Sequence, residues 1–184
     1  MANSTRTALL TTALFGLVSP AVAEPATMND RVVAFCKDNL GQKVGDGECS
    51  DLADAALNQA GAKPRTSFKE SPKKGDYVWG KLVVELEMKD GSQKETKVPK
   101  MRIQPGDVIQ FGDARFEGKN LRGFENYFTT FPHHTAVVLD VKKGENALTA
   151  LEQNVNEKKF VVENQYRLTD LKTGWVRVYR PVSK

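Results

Sequence analysis

The sequence predicts an α+β domain, with two N-terminal helices packed on an antiparallel β-sheet. Three observations predict it. Val32, Phe35, Cys36 and Leu40 fall at helical spacing before Gly41. A second apolar stripe of Cys49, Ala53, Ala56, Leu57 and Ala60 is stopped by Gly61. Beyond it the apolar residues alternate in short runs divided by turn residues, and helices followed by strands read as α+β.

The chain has 184 residues, one domain's worth, and its 40% hydrophobic and 27% charged residues are ordinary for a globular protein. The first 23 residues differ from the rest. Arg6 is their only charge, Ala8 to Val18 is apolar, and Ala21-Val22-Ala23 has the small-x-small form of a cleavage site. This is the layout of a secretory signal peptide, so residues 1–23 are expected to be a leader and 24–184 a single mature domain. The apolar run is too short to cross a bilayer as a helix, and no other segment is a candidate. A soluble, secreted, periplasmic or cell-envelope monomer is therefore expected. Without Arg6 the net charge of +4 becomes +3. The lysines occur as scattered pairs (Lys73-Lys74, Lys142-Lys143, Lys158-Lys159), not as a stripe. Nucleic acid as a partner is excluded on that ground. No cofactor is expected.

The elements follow in order. Asn29 or Asp30 is expected to cap the first helix, which turns Cys36 toward the core. The glycine-rich turn 41–48 leads to a second helix over Cys49 to Ala60, whose small residues permit close packing. Val84, Leu86 and Met88 alternate with Glu85 and Glu87, and Asp90-Gly91 turns into a polar return strand ending near Val98. Gln104-Pro105-Gly106-Asp107 is a turn before the strand Val108 to Phe111. Residues 112–132 read as irregular, with Phe116, Phe124, Tyr127, Phe128 and Phe131 as loop anchors. Further strands are expected over His134–Val141, Ala147–Asn154 and Trp175–Arg180, with a short one at Phe160-Val161-Val162.

Cys49 is the candidate nucleophile. A thiolate is reactive when its pKa is lowered, and a helix start supplies partial positive charge and unpaired N–H groups. The base must come from His133 or His134, the chain's only histidines. His134 shares a strand face with Ala136 and Val138. A hairpin through 142–145 brings Glu152 and Asn154 alongside, where either can hold the imidazole Nδ1–H and fix its tautomer. The plainer readings are a cysteine buried as a small hydrophobe and a histidine at a strand start on the surface. Two cysteines in an exported chain also admit a Cys36–Cys49 disulfide. Zinc on Cys49, His133, His134 and Glu152 is disfavoured, because adjacent strand residues point to opposite faces.

The order of motifs resembles the CHAP and NlpC-type papain-like cysteine hydrolases. Gly47-Glu48-Cys49-Ser50-Asp51-Leu52-Ala53 looks like their nucleophile segment and Pro105-Gly106-Asp107-Val108-Ile109-Gln110-Phe111 like their strand entry. His134-Thr135-Ala136-Val137-Val138 resembles the base strand and Glu152-Gln153-Asn154 the third-residue segment. The likeness implies a papain-like fold and cleavage of amide bonds in cell-wall (peptidoglycan) peptides. Cys49 would be the nucleophile, His134 the base, and Glu152 or Asn154 its orienting group. The chain departs from the NlpC branch in lacking a Tyr upstream of Cys49 and in carrying Ser50-Asp51 for Ser-Gly. Gln42 is the candidate oxyanion residue in place of that Tyr. Gly47-Glu48-Cys49 with Asp51-Leu52-Ala53, then Asp76-Tyr77-Val78-Trp79-Gly80, His133-His134-Thr135-Ala136 and Val178-Tyr179-Arg180-Pro181 are also similar to a cysteine-proteinase-fold domain of fungal actin-patch proteins. That likeness carries no activity with it. It implies an alternative function, a non-catalytic binding module on the same fold.

Overall fold

A computed structural model describes residues 26–69, 75–97, 101–119, 126–142 and 147–184. The proposed leader, residues 1–23, lies outside them. Two helices, α1 (Met28–Asp38) and α2 (Cys49–Ala60), precede seven strands. These are β1 (Lys81–Lys89), β2 (Ser92–Lys97), β3 (Val108–Lys119), β4 (Asn126–Lys142), β5 (Ala147–Glu152), β6 (Val162–Arg167) and β7 (Leu171–Arg180). They form one sheet in the order β2-β1-β7-β3-β4-β5-β6, with every neighbouring pair antiparallel. No described helix is long and apolar enough to cross a membrane.

The sheet buries both faces. On one, Val108, Val137, Leu151 and Tyr179 meet Val32 and Cys36 of α1 and Leu52, Ala53, Ala56 and Leu57 of α2. The alanines let α2 lie close to β4 and α1. On the other face Ile109, Phe111, Val138, Leu148, Tyr166 and Val178 form a second core, which draws on every strand but β2 and on neither helix. Period-two alternation feeds the two cores from the same strands: Val108, Gln110 and Val137 face the helices, Ile109, Phe111 and Val138 face away.

Several elements differ from the sequence expectation. Helix α1 is capped by Thr27, whose hydroxyl accepts from the Asp30 N–H (3.1 Å) while Asp30 accepts from the Thr27 N–H (2.9 Å), closing a capping box. Asn29 is committed elsewhere: its amide donates to the Pro105 carbonyl (2.8 Å) and to Asp107 (3.2 Å). Of the stretch 112–132, the described residues 112–119 and 126–132 are strand rather than irregular. Strand β3 runs on to Lys119 and β4 begins at Asn126, paired from Val108↔Val137 to Lys119↔Asn126. Ala114 and Phe116 keep the buried alternation past Gly112, so Phe116 and Phe131 are core rather than loop anchors, while Phe128 is exposed and Phe124 lies outside the described residues. Only Val162 of the proposed short strand 160–162 lies in β6, which continues to Arg167.

The Pro105-Gly106-Asp107 turn is a structural clasp. Asp107 is fully buried and accepts both Nε (2.7 Å) and Nη2 (3.0 Å) of Arg180, as well as the Gln104 N–H (3.0 Å). Gly106 has φ +82° and presses on α1, where a Cβ would fall 2.5 Å from the Asn29 carbonyl oxygen. One carboxylate thus joins the start of α1, the start of β3 and the end of β7. Removing one partner of a buried pair leaves the other uncompensated. Arg180→Met is therefore expected to cost about 3 kcal/mol of stability. Urea unfolding measures it, and a loss below about 1 kcal/mol would mean the pair is not coupled in this way.

Candidate active site

Helix α2 begins at Cys49 because the turn before it is tied down from both directions. Asp51 accepts from the backbone N–H groups of Asp46 (2.9 Å) and Glu48 (3.1 Å). Gly45, at φ +58°, leaves room for that carboxylate, since a Cβ would come within 2.9 Å of it. Here Asp51 earns its place beside Ser50, where the resembling enzymes carry glycine. Cys49 is the first helical residue, so its own N–H has no intrahelical acceptor. It is half-buried and not bonded to Cys36, which is sealed on α1 with its thiol pushed up to about 12 by burial.

His134 lies on β4 opposite Phe111. It is only 2% exposed and stacks on Phe131, ring centroids 4.6 Å apart and planes 15° from parallel. Its Nε2 lies 2.9 Å from Oε2 of Glu152, and the Cys49 side chain is near enough to the ring to raise its pKa. With Nε2 committed to the carboxylate, Nδ1 is left for the thiol. The sequence reading had the carboxylate on Nδ1; the ring is turned the other way. Burial pulls the imidazole pKa down. The hydrogen bonds to Cys49 and Glu152, and their charge, outweigh it and raise the pKa to about 9.

Glu152 is fully buried at the end of β5. Its other oxygen, Oε1, accepts from the Tyr166 hydroxyl (2.6 Å) and from the Asn164 amide, both on β6. Burial and the Glu152 charge push the Tyr166 phenol well above its ordinary range, so it stays a donor.

Asn154 is not beside His134. The strand ends at Glu152, and Asn154 takes φ +61°, so alternation does not carry it onto the Glu152 face. Its amide donates to Oε2 of Glu48 (2.7 Å), while Lys159 holds Oε1 of the same carboxylate (3.0 Å). Gln42 is exposed, and its backbone carbonyl accepts from the Val161 N–H (2.9 Å). It shows no bond to the Cys49–His134–Glu152 group. His133 faces away and packs on Gly75. Among the described residues no group of three His, Cys, Asp or Glu side chains is arranged to hold a metal.

Sequence reasoning missed Gln153, Asn164, Tyr166 and Phe131. Gln153 was within reach, since period two sends it opposite Glu152. Asn164 and Tyr166 were not, because β6 was read as ending at Val162.

The raised imidazole pKa makes a linkage prediction. The unfolded histidine binds its proton only below about 6.5, whereas the folded one holds it to about 9. Between these values the native state binds more protons, so stability is fully present below pH 6.5 and falls as pH rises through 9. Up to about 3 kcal/mol is at stake. Urea midpoints from pH 6 to 10 should decline across this window in the wild type and much less in Glu152→Gln. A flat wild-type profile would remove the charged imidazole.

A family model described as AIM3/BBC1 cysteine proteinase-fold domain matches residues 22–184. Altered inheritance of mitochondria protein 3 of Debaryomyces hansenii is 32% identical over 168 residues, covering 90% of this chain and 17% of that protein. The chain thus spans a small part of the relative's length. Structures of Ly7917, alone and with the hydrolysing product of MDP, superpose with a TM-score of 0.47 at 18% identity, over 85% of this chain and 63% of that one. Of the two likenesses read from the sequence, the fungal one holds. The specifics of the CHAP branch and a peptidoglycan substrate gain no support. The expected secreted or cell-envelope location is corrected by the same relative, a fungal protein named for the inheritance of mitochondria and not a secreted or envelope protein. The α+β architecture and a family match running from residue 22 through residue 184 lead to one conclusion: the chain belongs to the AIM3/BBC1 cysteine proteinase-fold domain family.

Proposed function

We propose that this domain is a cysteine-dependent amide hydrolase acting on peptides. The observation that carries the reading is the continuous line from Cys49 to the His134 imidazole to the buried Glu152 carboxylate. An imidazole with a pKa near 9 is charged at neutral pH and can stabilise a thiolate beside it.

The chemistry then follows from the geometry. The Cys49 sulfur attacks the carbonyl carbon, and the developing oxyanion is met by the Cys49 N–H at the helix start. The His134 Nδ1–H gives its proton to the departing amine as the C–N bond breaks, leaving a thioester. Water then attacks the thioester, Nδ1 takes its proton, and the thiol side of the bond is released. Glu152 holds Nε2–H throughout, so the ring neither rotates nor loses its charge early.

The comparisons favour a second reading more than this one: a non-catalytic binding module on the cysteine-proteinase fold. The relative's name says nothing of hydrolysis, and the domain is a small part of that protein. The exposed position of Gln42 supports the same reading, since the candidate oxyanion residue shows no bond to the Cys49–His134–Glu152 group.

Two measurements separate the readings. Incubation with a mixed peptide library, read by mass spectrometry, should show new termini with the wild type and none with Cys49→Ala. Glu152→Gln should lower the cleavage rate by about 10²-fold or more. Undiminished cleavage by Cys49→Ala would remove the nucleophile assignment. Iodoacetamide labelling adds the second arm: rapid alkylation of Cys49 at neutral pH is expected of the hydrolase, while an inert thiol together with an uncleaved library favours the module.

A further inference from the structure

We infer that Gln153 is a positioning residue that sets the nucleophile against its base. This rests on the reading of Cys49 as a reactive thiol. Gln153 is fully buried, and its side-chain amide is saturated by the turn that delivers Cys49. Oε1 accepts from the Val44 N–H (3.2 Å). Nε2 donates to the Val44 carbonyl (2.9 Å) and to the Glu48 carbonyl (2.7 Å). Glu48 is the residue immediately before Cys49 and caps its helix.

The turn needs such a hold. Gly41, Gly45 and Gly47 all have positive φ, so the segment is free to take other conformations unless its polar groups are tied from outside. Gln153 does this from the strand end that also carries Glu152. Consecutive side chains on an extended chain point to opposite faces. Glu152 therefore reaches the imidazole while Gln153 reaches the nucleophile turn. The spacing of base and nucleophile is set across the single peptide unit that joins the last residue of β5 to Gln153. The neighbouring residues repeat the hold at the surface: Asn154 and Lys159 grip the Glu48 carboxylate, and Val161 pairs with Gly41 and Gln42.

A residue with a purely structural role would lower stability when changed and leave the site's chemistry alone. A positioning residue moves the chemistry. Gln153→Met keeps the length and volume and removes all three hydrogen bonds. In this variant the NMR titration midpoint of His134, expected near 9 in the parent, should fall, because the thiol that helps to raise it leaves the imidazole. His133, the only other histidine, is the internal reference in the same spectra. Iodoacetamide alkylation of Cys49 at pH 7 should slow by about tenfold or more. Gln153→Asn, which keeps the amide but is one methylene shorter, should lie between the two. A folded variant of either kind with the parental midpoint and alkylation rate would overturn the inference. Should neither variant fold, hydrogen exchange in the wild type decides it: protection of the Val44 N–H supports the hold, and free exchange overturns it. None of these readouts needs hydrolysis. A wild type that cleaves no peptide yet shows these shifts overturns the hydrolase and keeps Gln153. A Gln153→Met protein that cleaves at the full rate overturns Gln153 alone.

Discussion

A carboxylate with no access to water constrains this molecule more than any other group. Glu152 is fully buried, and an ionised carboxylate is costly in such a place unless every oxygen has partners. Its partners come from the two strands that flank its own. His134 on β4 takes one oxygen, and Asn164 and Tyr166 on β6 take the other. The β4–β5–β6 register that lets all of them converge is the one the apolar core also demands, with Val138 opposite Ala150 and Leu148 opposite Tyr166. Slipping β6 by one residue would turn Tyr166 and Asn164 to the other face and strand the charge. Packing and electrostatics thus select the same alignment, which is how a sheet this long acquires one register.

The same charge explains the state of the imidazole. A histidine sealed under Phe131 and Phe111 would ordinarily be neutral, since burial disfavours its charged form. A carboxylate on one ring nitrogen and a thiol on the other reverse that preference. Tyr166 cannot relieve Glu152 of its charge, because its own ionisation is suppressed and it serves only as a donor. The chain of influence runs from β6 through Glu152 to His134 and ends at the sulfur of Cys49.

Much of this was legible in the sequence where one local rule acted alone. Both helices, the Asp90-Gly91 hairpin and the strands at 82–88, 108–111, 134–141 and 175–180 follow from periodicity and turn residues. The pairing of His134 with Glu152 followed from alternation on two neighbouring strands. What escaped needed a non-local fact. The β3–β4 extension past Gly112 looks irregular until Phe116 is seen against Tyr166 and Leu171 in the second core. Asn154 was placed beside Glu152 by a period that holds only while the chain stays extended, and its positive φ breaks it. The Thr27 cap was hidden because Asn29, the better capping residue by type, is drawn off to Pro105 and Asp107. The location was misread for a different reason, since an N-terminal apolar run states a layout and not a destination.

The buried pair also bears on the choice between a hydrolase and a binding module. Replacing a buried ion pair by well-packed apolar residues is often neutral or stabilising, so stability alone is a weak reason for Glu152 and His134 to be charged and sealed together. A module that needed only the fold could fill that space with leucine and phenylalanine, as Phe111, Phe116 and Phe131 already do around it. The polar line instead ends on the half-buried sulfur at the start of a helix, within reach of solvent. Binding by shape does not require a charged imidazole behind a thiol, whereas proton transfer to a leaving group does. The family relationship pulls toward a module and the chemistry of the buried line toward a reaction, and the two meet at Cys49.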